Sequence, residues 1–335
     1  MNTRRRLLIA ASVAGSCLGS VFLAVTAAAK SRPAGPPSDH VLLFTSFRDN
    51  GQDGLHLLWS EDGYQWRTLA GDRPFLAPTV GGRLMRDPQI LVGPDGTYHM
   101  VWTTSWEKHG VGYANSRDLV HWSKQRLLDV MAAEPEAKNV WAPELFFDVA
   151  RGRFLLFWSS TIPGRFPETE RNADRGWNHR IYYTTTETFQ ELEPARLLYN
   201  PGFNCIDATI VQSGARFVMF LKDETRHPPA KNLRVASAAS PAGPYGPASP
   251  PITGDYWAEG PTAVRLGGQW FVYFDRYQER RYGLVTSRDL EHWTDETDRL
   301  QCPKGHRHGS VLRVPRSVVE GLQAIRGGDR SGNLQ

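Results

Sequence analysis

Cysteine is scarce: Cys17, Cys205 and Cys302 are the only three in 335 residues. Their spacing matches no zinc or dithiol redox motif. Cys205 and Cys302 either pair in an oxidising compartment or stay as two separate thiols. A surplus of charge is also missing. Of the formal +4, three charges belong to Arg4, Arg5 and Arg6, which leaves +1 for the rest. No basic run with interleaved aromatics is present, which argues against a nucleic-acid partner. Long amphipathic helical patterns are almost absent beyond the first 31 residues. What the chain has instead is 11 Trp, 11 Tyr and 15 Phe with 31 Gly and 23 Pro. That mixture favours many short strands joined by tight turns.

Residues 1–31 read as an export signal: a basic start at Arg4-Arg5-Arg6, an apolar stretch from Leu7 to Ala28, and small residues at Ala27-Ala28-Ala29. The expected location is therefore periplasmic or extracellular, with no membrane partner once the signal is removed. The apolar stretch is also long enough for an uncleaved anchor, and Ala14-Gly15-Ser16-Cys17 loosely resembles a lipoprotein site. Residues 32–38 form a Pro-rich linker. Residues 39–315 carry the strand pattern, and 316–335 are expected to form a flexible tail.

One piece of strand grammar recurs. A polar or acidic residue opens an alternating strand, a Gly turn follows, and an aromatic strand returns. It occurs at Arg86-Asp87-Pro88, Trp141-Ala142-Pro143-Glu144, Ile206-Asp207-Ala208 and Glu259-Gly260-Pro261, with a shortened copy at His308-Gly309-Ser310. A second echo, Ser-x-Asp-x-x-x-Trp, appears at Ser60–Trp66, Ser116–Trp122 and Ser287–Trp293. Looser forms occur at Thr184–Phe189 and Ser240–Tyr245. Each echo falls between a third strand and an outer one. Five such units predict an all-β, five-bladed β-propeller. Its fifth blade takes an inner strand from the C-terminal end and its outer strands from residues 41–69. A two-sheet sandwich with accidental repeats is the alternative.

In a propeller the first strand of each blade lines the axis. Asp87, Glu144 (two past the equivalent Ala142), Asp207, Glu259 and His308 are therefore expected to meet at one mouth. Burying so many acids is costly, and their repulsion separates their pKa values. Such a cluster suits acid–base hydrolysis of glycosides, a metal cage, or a structural hydrogen-bond knot. Trp66, Trp122 and Trp293 repeat at the outer turns and are expected to pack there. Two long loops, 163–180 and 222–229, are placed to set specificity at the mouth.

Taken together, Arg86-Asp87-Pro88, Trp141-Ala142-Pro143-Glu144, Ile206-Asp207, Glu259-Gly260-Pro261 and His308-Gly309-Ser310 resemble glycoside hydrolase family 43 across about residues 40–315. The resemblance implies a five-bladed propeller and hydrolysis with inversion. It implies Asp87 as general base, Glu259 as general acid and Asp207 as the group that tunes and holds the acid. Substrate contacts are expected from Trp106, Trp141, Glu144, Phe203, Arg276 and His308. No cofactor is required and no metal ligand is assigned, although the family's axial histidine suggests a structural calcium near His308, with His306 a second candidate. The implied activity is removal of arabinofuranosyl or xylosyl units from plant-type oligo- or polysaccharides. A galactan- or galactofuranose-directed exo-enzyme of the same fold, and a carbohydrate-binding propeller without turnover, are the alternatives.

Overall fold

The computed structural model describes residues 39–324. The expected export signal and linker, and residues 325–335, lie outside the described residues. Five antiparallel sheets make a five-bladed propeller. From the axis outward, blade one is Arg86–Val92, Tyr98–Thr103, Gly110–Ser116 and Arg126–Asp129. Blade two is Trp141–Asp148, Arg153–Thr161, His179–Thr186 and Arg196–Tyr199, and blade four is Glu259–Leu266, Gln269–Arg276, Arg281–Ser287 and Thr294–Asp295.

Blade three has only three strands, Cys205–Ser213, Arg216–Asp223 and Asn232–Ala238. Its fourth segment contains Pro241, Pro244, Pro247, Pro250 and Pro251. Prolines lack the N–H that a ladder needs. Three separate bonds, Gly246 N to Ser237 O, Ser249 N to Val235 O and Ile252 N to Leu233 O, hold it against the third strand instead.

Blade five closes the ring. His40–Arg48 pairs with both His306–Arg307 and Val311–Pro315 on its inner side and with His56–Ser60 on its outer side. At the break between the two inner pieces, Ser310 N bonds Thr45 Oγ1 at 2.8 Å, and a Cβ on Gly309 would lie 1.8 Å from Thr45 O. Only glycine lets the two strands approach that closely.

The Ser-x-Asp-x-x-x-Trp echo is one repeated turn. Asp62, Asp118 and Asp289 each accept backbone N–H groups two and three residues on, and Leu119 and Leu290 take positive φ there. The Trp66 and Trp122 indoles bond carbonyls of their own turns, and Trp66, Trp122 and Trp293 pack into the clusters between blades. Cys205 and Cys302 are free thiols in different clusters, so the pairing alternative is not realised.

The expected flexible tail is instead partly a helix, Arg316–Ala324. Val319 and Leu322, one turn apart, are buried with Val41, Leu43 and Val314. An i, i+3 apolar pair of this kind is easily lost in a short polar segment. Leu322→Ala is expected to destabilise the propeller by about 2–3 kcal/mol, the low end for a buried leucine at a site that can relax. Urea unfolding checks this, and an unchanged midpoint would show that the helix holds nothing.

Candidate active site

Four inner strands share a bulge at the same level. Pairing slips between Arg86 and Gln89, Trp141 and Glu144, Ile206 and Thr209, and Glu259 and Thr262. The second residue of each bulge has positive φ: Asp87 (51°), Ala142 (47°), Asp207 (56°) and Gly260 (60°). Bulges re-aim side chains, and Asp tolerates this conformation better than most residues. The true structural equivalents are therefore Asp87, Ala142, Asp207 and Gly260. Glu259 precedes that position by one and Glu144 follows it by two. At Gly260 a Cβ would fall 2.3 Å from the His308 ring, so the glycine makes room for the histidine.

The level below forms a belt between blades. Gln89 Oε1 accepts from Leu145 N, Ser310 Oγ from Ile90 N, and Thr262 Oγ1 from Val311 N. Glu144 belongs to this belt, is buried, and takes a hydrogen bond from Thr209. Burial pushes it up to about 8, and Asp207's charge adds to this. It is not among the residues that line the cavity, unlike the substrate contact expected of it.

Above the belt is a cavity of ≈ 220 Å³. Asp87, Asp207, Glu259 and His308 all line it, and Trp106 and Trp141 form its lip. The two indoles meet edge to face at 5.6 Å, with Trp141 Nε1 donating to Trp106 O. Trp106 is 48% exposed. The long loop around 163–178 contributes Trp177, stacked on Trp141 at 4.9 Å, and bonds the second long loop through Arg226 N to Asn172 O. Two expected contacts are elsewhere. Phe203 packs in blade three under the Arg234 guanidinium. Arg276 pairs with Glu279 and lies over Tyr256. Both sit at strand ends or loops as their positions suggest, but neither lines the cavity. A larger cavity of ≈ 490 Å³ lies around Arg153 and residues 185–193, away from the axial acids.

Cations that the motif comparison missed also line the cavity: Arg86, Lys222 and Arg307, together with the acid Glu224. Their placement follows a rule that the fold makes visible. The second-strand residue opposite each bulge reaches the inner strand of the next blade. Thr103 Oγ1 accepts from Ala142 N at 2.8 Å, and Ser159 Oγ accepts from Asp207 N at 3.0 Å. Lys222 Nζ donates to Glu259 Oε2 at 3.0 Å, and Arg307 Nε donates to Asp275 Oδ2 at 3.0 Å. Phe47 lies under the Arg86 guanidinium at 4.7 Å. A polar residue at or within two of the end of each aromatic second strand (Thr103, Ser159, Lys222, Asp275) was the available signal.

The charges are strongly coupled. Burial works to raise Asp87, but His308, Arg86 and Thr103 prevail and hold it well below the usual carboxylate range. His308 Nδ1 donates to Asp87 Oδ1 at 3.1 Å, and Thr103 donates to the other oxygen at 2.8 Å. Burial disfavours charge on His308, yet Asp87, with Asp207 and Glu259, lifts it to about 9. Asp207 is pushed up to about 7, mainly by burial and further by Glu259, while His308 opposes. Its Oδ2 accepts from Gly260 N at 3.0 Å. Both oxygens of Glu259 face cations: Lys222 at 3.0 Å and Arg307 at 3.0 Å. Lys222 also pairs with Glu224 at 2.6 Å. An imidazolium bound to Asp87 and a neutral Glu144 do not fit the oxygen-ligand set that calcium takes, so no step below runs through that ion.

The sequence matches the family described as "Probable glycosyl hydrolase domain", related to glycoside hydrolase family 43, over residues 40–320. No curated protein matches it. Similar solved structures include an α-L-arabinofuranosidase from Lactobacillus brevis (16% identity, TM-score 0.50, covering 64% of this chain and 72% of that one). A thermostable family-43 glycoside hydrolase is similar at 16% identity and TM-score 0.51, over 70% of this chain and 80% of that one. An endo-arabinase from Bacteroides thetaiotaomicron VPI-5482 is similar at 15% identity and TM-score 0.50, over 66% and 83%. At these identities the likeness is one of fold.

Proposed function

Since the chain belongs to this glycosyl hydrolase family, related to family 43, we propose that it is an exported, inverting exo-glycosidase that removes single arabinofuranosyl or xylosyl units. The observation that carries this reading is one small cavity lined by Asp87, which its neighbours hold ionised, by Asp207, which burial lifts to about 7, and by Glu259. Inverting hydrolysis needs a carboxylate to activate water on one face of the sugar and a carboxylic acid on the other. The cavity is smaller than the roughly 300–1,000 Å³ of drug-sized sites, which suits one terminal sugar. The Trp106 and Trp141 lip offers apolar ring faces of the kind sugars stack on. The arabinose-directed names of two similar structures favour the same sugar.

In this mechanism Asp87 accepts the proton of the attacking water. His308 and Thr103 fix its orientation and keep it ionised. Glu259 delivers a proton to the leaving oxygen. Lys222 and Arg307 stabilise the carboxylate that Glu259 becomes as it gives the proton up. Asp207, lifted to about 7 and bonded to the N–H of the residue after Glu259, holds that acid in place.

The pH dependence follows. Turnover needs Asp87 ionised and Asp207 protonated. Asp87 is ionised throughout the ordinary range, so the acid limb lies low. The basic limb is expected near pH 7, as Asp207 loses its proton. Asp207→Asn is expected to displace that limb. A kcat/KM profile still flat at pH 9 would sink the assignment. A panel of aryl α-L-arabinofuranosides, β-xylosides, β-galactosides and galactofuranosides identifies the sugar. NMR of the first-formed anomer tests inversion, and a product of retained configuration is incompatible with the mechanism.

A further inference from the structure

Away from the axial cavity, blade five brings together three side chains from distant parts of the sequence. His56 comes from the third strand of the blade, Asp72 from the loop after the outer strand, and His306 from the short inner strand. His56 and His306 are buried, their side chains 2% and 0% exposed. His56 Nδ1 lies 3.1 Å from Asp72 Oδ1, and His306 Nε2 lies 3.2 Å from the same oxygen. The other nitrogen of each ring is already held. His56 Nε2 faces Asp53 Oδ2 at 2.8 Å, and His306 Nδ1 faces Ser46 Oγ at 2.8 Å. Asp72 Oδ2 pairs with Arg48, which leaves Oδ1 free of that partner.

These contacts create an electrostatic problem. With its Nε2–H directed at Asp53, a neutral His56 points a lone pair from Nδ1 at Asp72. His306 Nε2 has no hydrogen-bond partner despite its burial and its nearness to Asp72. In the tautomers that direct N–H groups at Asp53 and Ser46, two ring nitrogens and one carboxylate oxygen aim electron pairs at one another, an arrangement that burial makes costly. A cation between them resolves it. The two ring-to-carboxylate spacings, 3.1 and 3.2 Å, fit one as well, and all three donor atoms lie within 4.8 Å of one another: metal–ligand bonds of about 2.0–2.1 Å in a tetrahedron place donor atoms about 3.3 Å apart.

We propose that His56, Asp72 and His306 form a divalent-metal site, best suited to zinc, that fastens the propeller's closing blade. Two imidazoles and a carboxylate are borderline donors that suit zinc better than calcium or magnesium. Asp53 and Ser46 take the remaining ring N–H groups and so fix the tautomers that a metal requires, the arrangement by which proteins orient histidine ligands. The site joins a strand near the start of the propeller to one near its end, where closure otherwise rests on strand pairing and the Thr45–Ser310 bonds. Strand alternation sends His306 to this side and its neighbour Arg307 to the axial cavity, so the metal also steadies the strand that carries Arg307.

The test uses untagged protein, stripped with a chelator, incubated with zinc sulfate and gel-filtered. The wild type is expected to retain about one zinc per chain by elemental analysis, and its melting temperature to rise with free zinc as linkage requires. His56→Gln and His306→Gln are expected to retain little zinc and to melt at a temperature independent of it. Asp53→Asn keeps all three donors and is expected to bind roughly 10–100-fold more weakly. Cobalt(II) loaded into the wild type needs no variant and is expected to give the intense visible bands of a four-coordinate ion. A wild type that retains no zinc, equal retention by the histidine variants, or a cobalt spectrum matching the free aqueous ion would each overturn the proposal.

Discussion

Glu259→Gln is expected to lower kcat by about 10²–10⁴-fold, the usual contribution of general acid–base catalysis. The loss is expected to depend on the leaving group. An alkyl alkoxide needs a proton as the bond breaks, whereas a dinitrophenolate leaves without one, so the variant should be most damaged on natural linkages and least on activated aryl glycosides. The fold should tolerate the change. Lys222 keeps Glu224 at 2.6 Å, and Arg307 keeps Asp275 at 3.0 Å, so neither cation is stranded. A Glu259→Gln variant equally impaired on both substrate types would remove Glu259 from the acid role and leave it a holder of Lys222 and Arg307.

Asp87→Asn is expected to cost a similar 10²–10⁴-fold, but independently of the leaving group, because water activation is common to all substrates. Azide, which needs no base, is expected to restore turnover and give a glycosyl azide of inverted configuration. The change also removes the partner of a buried imidazolium, since His308 is charged chiefly because Asp87 faces it. Leaving such a charge unpaired costs roughly 3–5 kcal/mol, unless the group loses its proton. A fallen rate therefore has to be read beside circular dichroism and a denaturation midpoint. A folded Asp87→Asn variant that keeps more than about a tenth of wild-type activity, far above the expected acid–base loss, would end the base assignment.

Much of this was legible along the chain because it depends on neighbours in sequence. The Ser-x-Asp-x-x-x-Trp turn closes on itself through Asp62, Asp118 and Asp289, so it leaves the same mark each time. The inner-strand bulges leave Asp87, Asp207 and Gly260 (with Ala142 the exception) at the positive-φ position, and Pro follows in three of the four copies, because positive φ favours Asp and Gly and a fixed φ suits the next residue. Chain order alone aligned Ala142 with Asp87 correctly but set Glu259 one residue off, since Gly260 is the equivalent position. A bulge adds a residue to one strand only, and its register is defined by the partner strand. Phe203 and Arg276 were placed near the mouth by position, but which way a strand-end side chain turns is set by its neighbours: Arg234 over Phe203, and Tyr256 and Glu279 around Arg276.

By itself the sequence determined the number of blades, the split fifth blade and the three acids that open inner strands, because periodic patterning and turn chemistry are local. Only the tertiary structure decided the charge state of those acids. Asp87 owes its ionisation to His308, 221 positions away in the chain, and Glu259 owes its two cations to blades three and five. The His56–Asp72–His306 cluster likewise exists only once the ring has closed. Electrostatic energy depends on distance through space and on burial, and neither is written in the order of residues.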